Sequence, residues 1–202
     1  MTVALERFLG PDEEQLLLRI ARDSLLAYLQ EGIRIELGGY PLTPELRARH
    51  GAFVTLHLDG ELRGCIGHTR NLESLAEAVR DNAINAAVRD PRFPPLALEE
   101  LGRTRIEISA LCPGAGPDTP FIPVRDLSEI VIGRDGLYLD RAGSRGGGLL
   151  LPQVAVERHW NVDQFLEALC TKAGAAPGAW KEPGGELFRF SAQVFGEYPT
   201  PT

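Results

Sequence analysis

Residues 52–66 constrain the fold more than any other stretch. Ala52, Val54, Leu56 and Leu58 alternate with Phe53, Thr55 and His57, the period of a half-buried strand. Asp59-Gly60 follows, a dipeptide that accepts the positive φ angles of a two-residue turn, so Leu62 to Ile66 is expected to return antiparallel. The register expected from that turn sets Leu58 against Glu61, Leu56 against Arg63 and Val54 against Cys65. Arg63 and Cys65 then share a face with Cβ atoms about 7 Å apart, and a cation that near favours thiolate over thiol. Gly64 and Gly67 flank the cysteine. Glycine inside a strand marks close approach by a ligand or another backbone, or a bulge.

Helical patterning surrounds this hairpin. Pro11-Asp12-Glu13-Glu14-Gln15 reads as a helix start with an N-cap at Asp12. Leu17, Ile20, Ala21, Leu25 and Tyr28 recur at helical spacing up to a stop at Gly32. Residues 71–89 form a second helix with an alanine-rich stripe, ended by Asp90-Pro91, and Asn82 lies along its edge as a candidate ligand contact. Residues 105–111 alternate as a strand, with Glu107 and Ser109 on one face.

Residues 112–123 are dense in proline and glycine and read as a crossing between lobes. Residues 129–132, the turn 133–136 and residues 137–140 read as a second hairpin, followed by a glycine-rich loop at 141–148. Leu149-Leu150-Leu151-Pro152 re-enters the core at a sheet edge or a helical turn. Asn161 with Gln164 then opens a helix closed by Gly174. Residues 187–195 make a closing strand with Phe188, Phe190, Ala192 and Val194 inward. The expected architecture is α+β, antiparallel strands with packed helices, in one domain over residues 1–202. Its halves, 10–112 and 124–198, each repeat hairpin, helix and strand.

A net charge of −7 argues against a nucleic-acid partner, since phosphate binding needs a concentrated basic surface. No stretch approaches membrane-spanning length, and residues 1–6 show no secretory signal. Three widely spaced cysteines, Cys65, Cys112 and Cys170, suit a reducing cytoplasm. Cys170 reads as a small buried hydrophobe. The four histidines form no ligand pattern, and Cys65 with His68 supplies only two ligands, so no metal is expected. Gly146-Gly147-Gly148 lacks the following Lys-Ser/Thr of a phosphate-binding loop, and no cofactor is expected.

Leu62-Arg63-Gly64-Cys65-Ile66-Gly67, Asp90-Pro91-Arg92-Phe93, Ile132-Gly133-Arg134-Asp135-Gly136-Leu137, Leu150-Leu151-Pro152-Gln153-Val154-Ala155 and Lys172-Ala173-Gly174 stand in this order along the chain. Together they resemble the AMMECR family over about residues 16–197. The resemblance implies a place as protein A of an AmmeMemoRadiSam system, beside a Memo-like protein and a radical S-adenosylmethionine protein. It implies no agreed reaction. It marks Arg63, Gly64, Cys65 and Gly67 as a signature site, adds Asp90, Arg92 and Phe93, and points to Gln153, Trp160 and Lys172 from the second half. His68 lies just outside the first motif.

Three readings follow. In the first, Cys65 is a nucleophile, Arg63 lowers its pKa or holds an anionic substrate, and His68 or Glu107 moves protons. Because side chains alternate along a strand, Cys65 and His68 meet only if Gly67 bends the chain. In the second, the motif surface docks a partner, with Arg63 or Arg92 as anchors. In the third, Cys65 and its glycines serve packing alone.

Overall fold

The computed structural model describes residues 7–69, 72–116, 119–141, 147–182 and 184–197. The chain divides into two compact units, one built from Glu6–Leu111 with Gln193–Thr202, the other including Cys112–Ala192. The class is α+β with antiparallel strands.

In the first unit, α1 (Pro11–Glu31) begins with proline at its first position and acidic residues in its first turn, where the helix dipole favours them. Its N-cap is Gly10 rather than Asp12, and Gly32 closes it in the left-handed conformation at φ 70°. A short α2 (Pro44–Arg47) leads into β1 (Ala52–Leu58) and β2 (Glu61–His68), joined by Asp59 at φ 53° and Gly60 at φ 93°. Helix α3 (Leu75–Val88) starts at Ser74, whose hydroxyl accepts from the Glu77 N–H while Glu77 reaches back to the Ser74 N–H. Strand β3 (Thr104–Leu111) pairs with β1 on the side away from β2, giving the order β2-β1-β3. Helices α1 and α3 cover one face of these strands. Leu17, Ile20 and Leu25 meet Val79 and Ala83 over Val54, Leu56, Ile106 and Ile108, all buried. Each large aliphatic side chain so buried contributes roughly 1.5–3 kcal/mol, so a charge placed at Val79 would break the layer.

In the second unit, β4 (Ile122–Pro123) pairs with β7 (Gly185–Gly196, of which the residues up to Ala192 belong to this unit), and β7 pairs with β5 (Asp135–Arg141). Strand β6 (Gly148–Leu150) pairs with the other side of β5, so the order β6-β5-β7 repeats β2-β1-β3. Helix α4 (Pro152–Glu157) takes Pro152 at its first position, and α5 (Val162–Lys172) carries the Asn161 and Gln164 capping box. Their buried residues Ala155, Phe165, Leu166, Leu169 and Cys170 pack with Leu137, Leu139 and Leu187.

Two further expectations change here. Residues 129–132 do not form a strand: Leu127–Glu129 is a 3-10 turn, and the hairpin is β5 with β6. The cause is Asp135, whose carboxylate accepts the Val131 N–H at 2.8 Å while its own N–H donates to the Val131 carbonyl at 2.9 Å, closing a loop in place of a ladder. The faces of β7 agree with expectation only in part. Phe190 and Ala192 are buried as expected, but the two helix-covered cores take the odd residues Leu187 and Phe195, and Phe188 and Phe190 turn the other way into an aromatic cluster. The glycine-rich residues 142–146, expected as a loop, lie outside the described residues.

Candidate functional site

The hairpin register departs from the simple pairing at one position. Leu58 faces Glu61 and His57 faces Leu62, but Leu56 faces Gly64 and Thr55 faces Cys65, leaving Arg63 as an extra residue in a bulge. The bulge aligns Gly64 with the helix layer. A Cβ at Gly64 would stand 2.1 Å from the Ala86 carbonyl oxygen of α3, so only glycine fits. Gly67 serves a similar end, since a Cβ there would lie 2.4 Å from the Phe53 ring. Both close approaches are internal.

Arg63 therefore does not stand beside Cys65. Its guanidinium donates to Glu100 through Nε at 3.2 Å and Nη2 at 3.0 Å, and to the carbonyls of Pro94 at 2.8 Å and Pro95 at 3.3 Å. Its side chain is 11% exposed, and it ties the loop after α3 to the hairpin. The expected effect of Arg63 on the thiol is corrected by this geometry.

Cys65, half-buried, faces away from the helices, and Thr55 Oγ1 donates to its Sγ at 3.3 Å. Glu107 is opposite Thr55 on β3, so Cys65, Thr55 and Glu107 form one row across three strands. Burial pushes the thiol pKa up, and the Asp90 and Glu107 charges add to that; the Thr55 hydrogen bond and the Arg92 charge pull against it. The net direction is upward, opposite to what an activated nucleophile needs.

His68 is on the other side of the strand. β2 runs without a bend to His68, which pairs with the fully buried Ala52, and its Nε2 lies 2.9 Å from Glu73. Gly67 does not turn the chain, so alternation sends His68 and Cys65 to opposite faces.

The Asp90-Pro91-Arg92-Phe93 loop caps the edge of β2. Asp90 precedes proline and so leaves helical geometry just after α3, which puts its carboxylate against the strand. Oδ2 accepts the Cys65 N–H at 2.9 Å, and Arg92 Nη2 donates to the Cys65 carbonyl at 3.5 Å. Arg92 is itself clamped on Asp90 through Nε at 2.9 Å and Nη2 at 2.6 Å, and its guanidinium carbon sits 5.4 Å from the Phe93 ring centroid. The Arg92 hydrogen bonds, aided by the N–H groups of Cys65 and Arg92, hold the Asp90 carboxyl well below the usual carboxylate range despite burial. Asp90 is 3% exposed and Arg92 53%, so the pair presents a fixed guanidinium to solvent. Leu96 N–H docks on the Ala87 carbonyl at 2.8 Å and fixes the far end of the loop.

Asn82 is not on a helix edge. It is buried, and its Nδ2 donates to the Ala52 carbonyl at 3.1 Å, joining α3 to β1. In the second unit, Gln153 occupies the first turn of α4, Trp160 packs half-buried against the core, and Lys172 is exposed in the last turn of α5. Thr55, Glu73 and Glu100 were not singled out by the sequence. Thr55 shares the alternation of its strand with the row that holds Cys65, which is a usable signal, whereas Glu100 and Glu73 meet their partners only through the fold. Among the described residues no group of three His, Cys, Asp or Glu side chains is placed to hold a metal ion, and no helix is long and apolar enough to cross a membrane.

The AMMECR1 family model matches residues 18–195. Protein MJ0810 of Methanocaldococcus jannaschii is 42% identical over 195 residues, covering 95% of this chain and 93% of its own. Protein MK0488 of Methanopyrus kandleri is 42% identical over 189 residues, covering 92% and 89%. A crystal structure of uncharacterized protein PH0010 from Pyrococcus horikoshii superposes with a TM-score of 0.84 at 37% identity, covering 95% of each chain.

Proposed function

The chain belongs to the AMMECR1 family, and we propose that it acts as a non-catalytic binding component whose motif surface docks an acidic segment of a partner polypeptide. The observation that supports this reading is Arg92, a guanidinium held by buried Asp90 yet half open to solvent. A pre-oriented arginine loses little rotamer freedom on binding and pairs well with carboxylates. The partners this reading expects are a Memo-like protein and a radical S-adenosylmethionine protein, in the cytoplasm. Three facts weigh against a nucleophilic Cys65: its raised pKa, the engagement of Arg63 with Glu100, and the position of His68 on the opposite face.

The test is capture of each purified partner by wild type, Cys65→Ser and Arg92→Ala, with thermal melting to verify folding. The proposal expects Cys65→Ser to retain the partner and folded Arg92→Ala to lose it. Retention by Arg92→Ala, or loss with Cys65→Ser alone, would overturn it.

A further inference from the structure

The face of the second unit's strands turned away from α4 and α5 carries a second candidate site, independent of the reading above. Phe121 stacks on Tyr138 with centroids 4.5 Å apart and planes 14° apart, and Phe188 lies tilted at 5.9 Å from Phe121 and 6.1 Å from Tyr138. Phe190, 1% exposed, meets Phe121 edge-on at 5.8 Å beneath them. These rings are not part of the helix-covered core, which takes Leu137, Leu139 and Leu187. Phe121, Tyr138 and Phe188 instead remain half-buried around a cavity of about 390 Å³ with Pro123 and Asp140. That volume is within the range of small-molecule sites.

The chemistry of the lining selects the sign of the ligand. Aromatic faces carry partial negative charge, and the one carboxylate among the described lining residues is Asp140, exposed on β5 two residues beyond Tyr138. The described lining includes no lysine or arginine. We infer that this cavity binds a compact organic cation, a quaternary or tertiary ammonium group, with its methyl groups on the rings and its charge toward Asp140. A neutral ligand of the same shape would gain only the apolar contact.

The experiment is calorimetric titration of the full chain with choline and with free Nε-trimethyllysine, using 3,3-dimethylbutanol as the neutral isostere. Saturable binding of at least one cation is expected, with the isostere weaker. Asp140→Asn, an exposed change, should weaken the cation about three- to fivefold and leave the isostere unchanged. Phe188→Leu should weaken both ligands; melting curves check that it still folds. Binding of choline alone points to a free small molecule, and binding of trimethyllysine alone to a methylated side chain. Saturation by neither cation, or equal affinity for cation and isostere, overturns the inference.

Discussion

The backbone N–H of Cys65 donates to the carboxylate of Asp90 at 2.9 Å, so an acidic side chain occupies the place where another strand's carbonyl would sit along this edge of the hairpin. Removing that acceptor leaves a half-buried donor unmet and frees Arg92. Asp90→Ala is therefore expected to lower stability by about 2–3 kcal/mol, measured by urea unfolding.

The same carboxylate sets a pH dependence. Its folded pKa is depressed by Arg92 and by two backbone N–H groups, so its contribution is complete above the ordinary value near 3.8 and is lost as pH falls below it. Wild type should lose stability on acidification through that range. Asp90→Asn should show a shallower loss in the same interval.

Gly64 is the steric key of the signature. Gly64→Ala puts a Cβ 2.1 Å from a helix carbonyl that cannot step aside, and a loss of about 1–3 kcal/mol is expected from overpacking. Gly38→Ala is the control, because nothing lies within 4 Å of its Cβ position, and it should stay within about 0.5 kcal/mol of wild type. Equal melting temperatures for the two variants would refute the packing role of Gly64.

Arg63 and Arg92 exchange the roles their positions suggest. Arg63→Ala removes a guanidinium that joins Glu100 and two proline carbonyls, at an expected cost of about 2 kcal/mol, and leaves the Cys65 titration where it was. Arg92→Ala removes a charge that favours thiolate, and should move the Cys65 titration further up. Thiol titration by ultraviolet absorbance separates the two.

Much of the fold was legible because local rules and packing agree. The Asp59-Gly60 turn, the Gly32 stop, the Asn161 capping box and the alanine stripe of α3 all act within a few residues. The site was legible as a place but not as an arrangement. The bulge at Arg63 arises from the fit of Gly64 against Ala86, a contact 22 positions away that no turn rule encodes, and one inserted residue redirects every side chain after it. The faces of β7 were misread for a related reason: two apolar layers flank its first half, so alternation marks two sets without saying which one the helices cover.

The central claim is that the signature thiol is held protonated within a binding surface instead of being activated. The direct measurement is the rate of Cys65 alkylation by iodoacetamide against pH, on Cys112→Ala/Cys170→Ala protein with folding verified. The account predicts slow modification at neutral pH with a midpoint above the ordinary value near 9.0. Because the folded pKa is raised, the contribution of this thiol to stability is complete below that ordinary value and is lost as pH rises from there through the folded value. Rapid alkylation at neutral pH with a midpoint below the ordinary value would contradict the account.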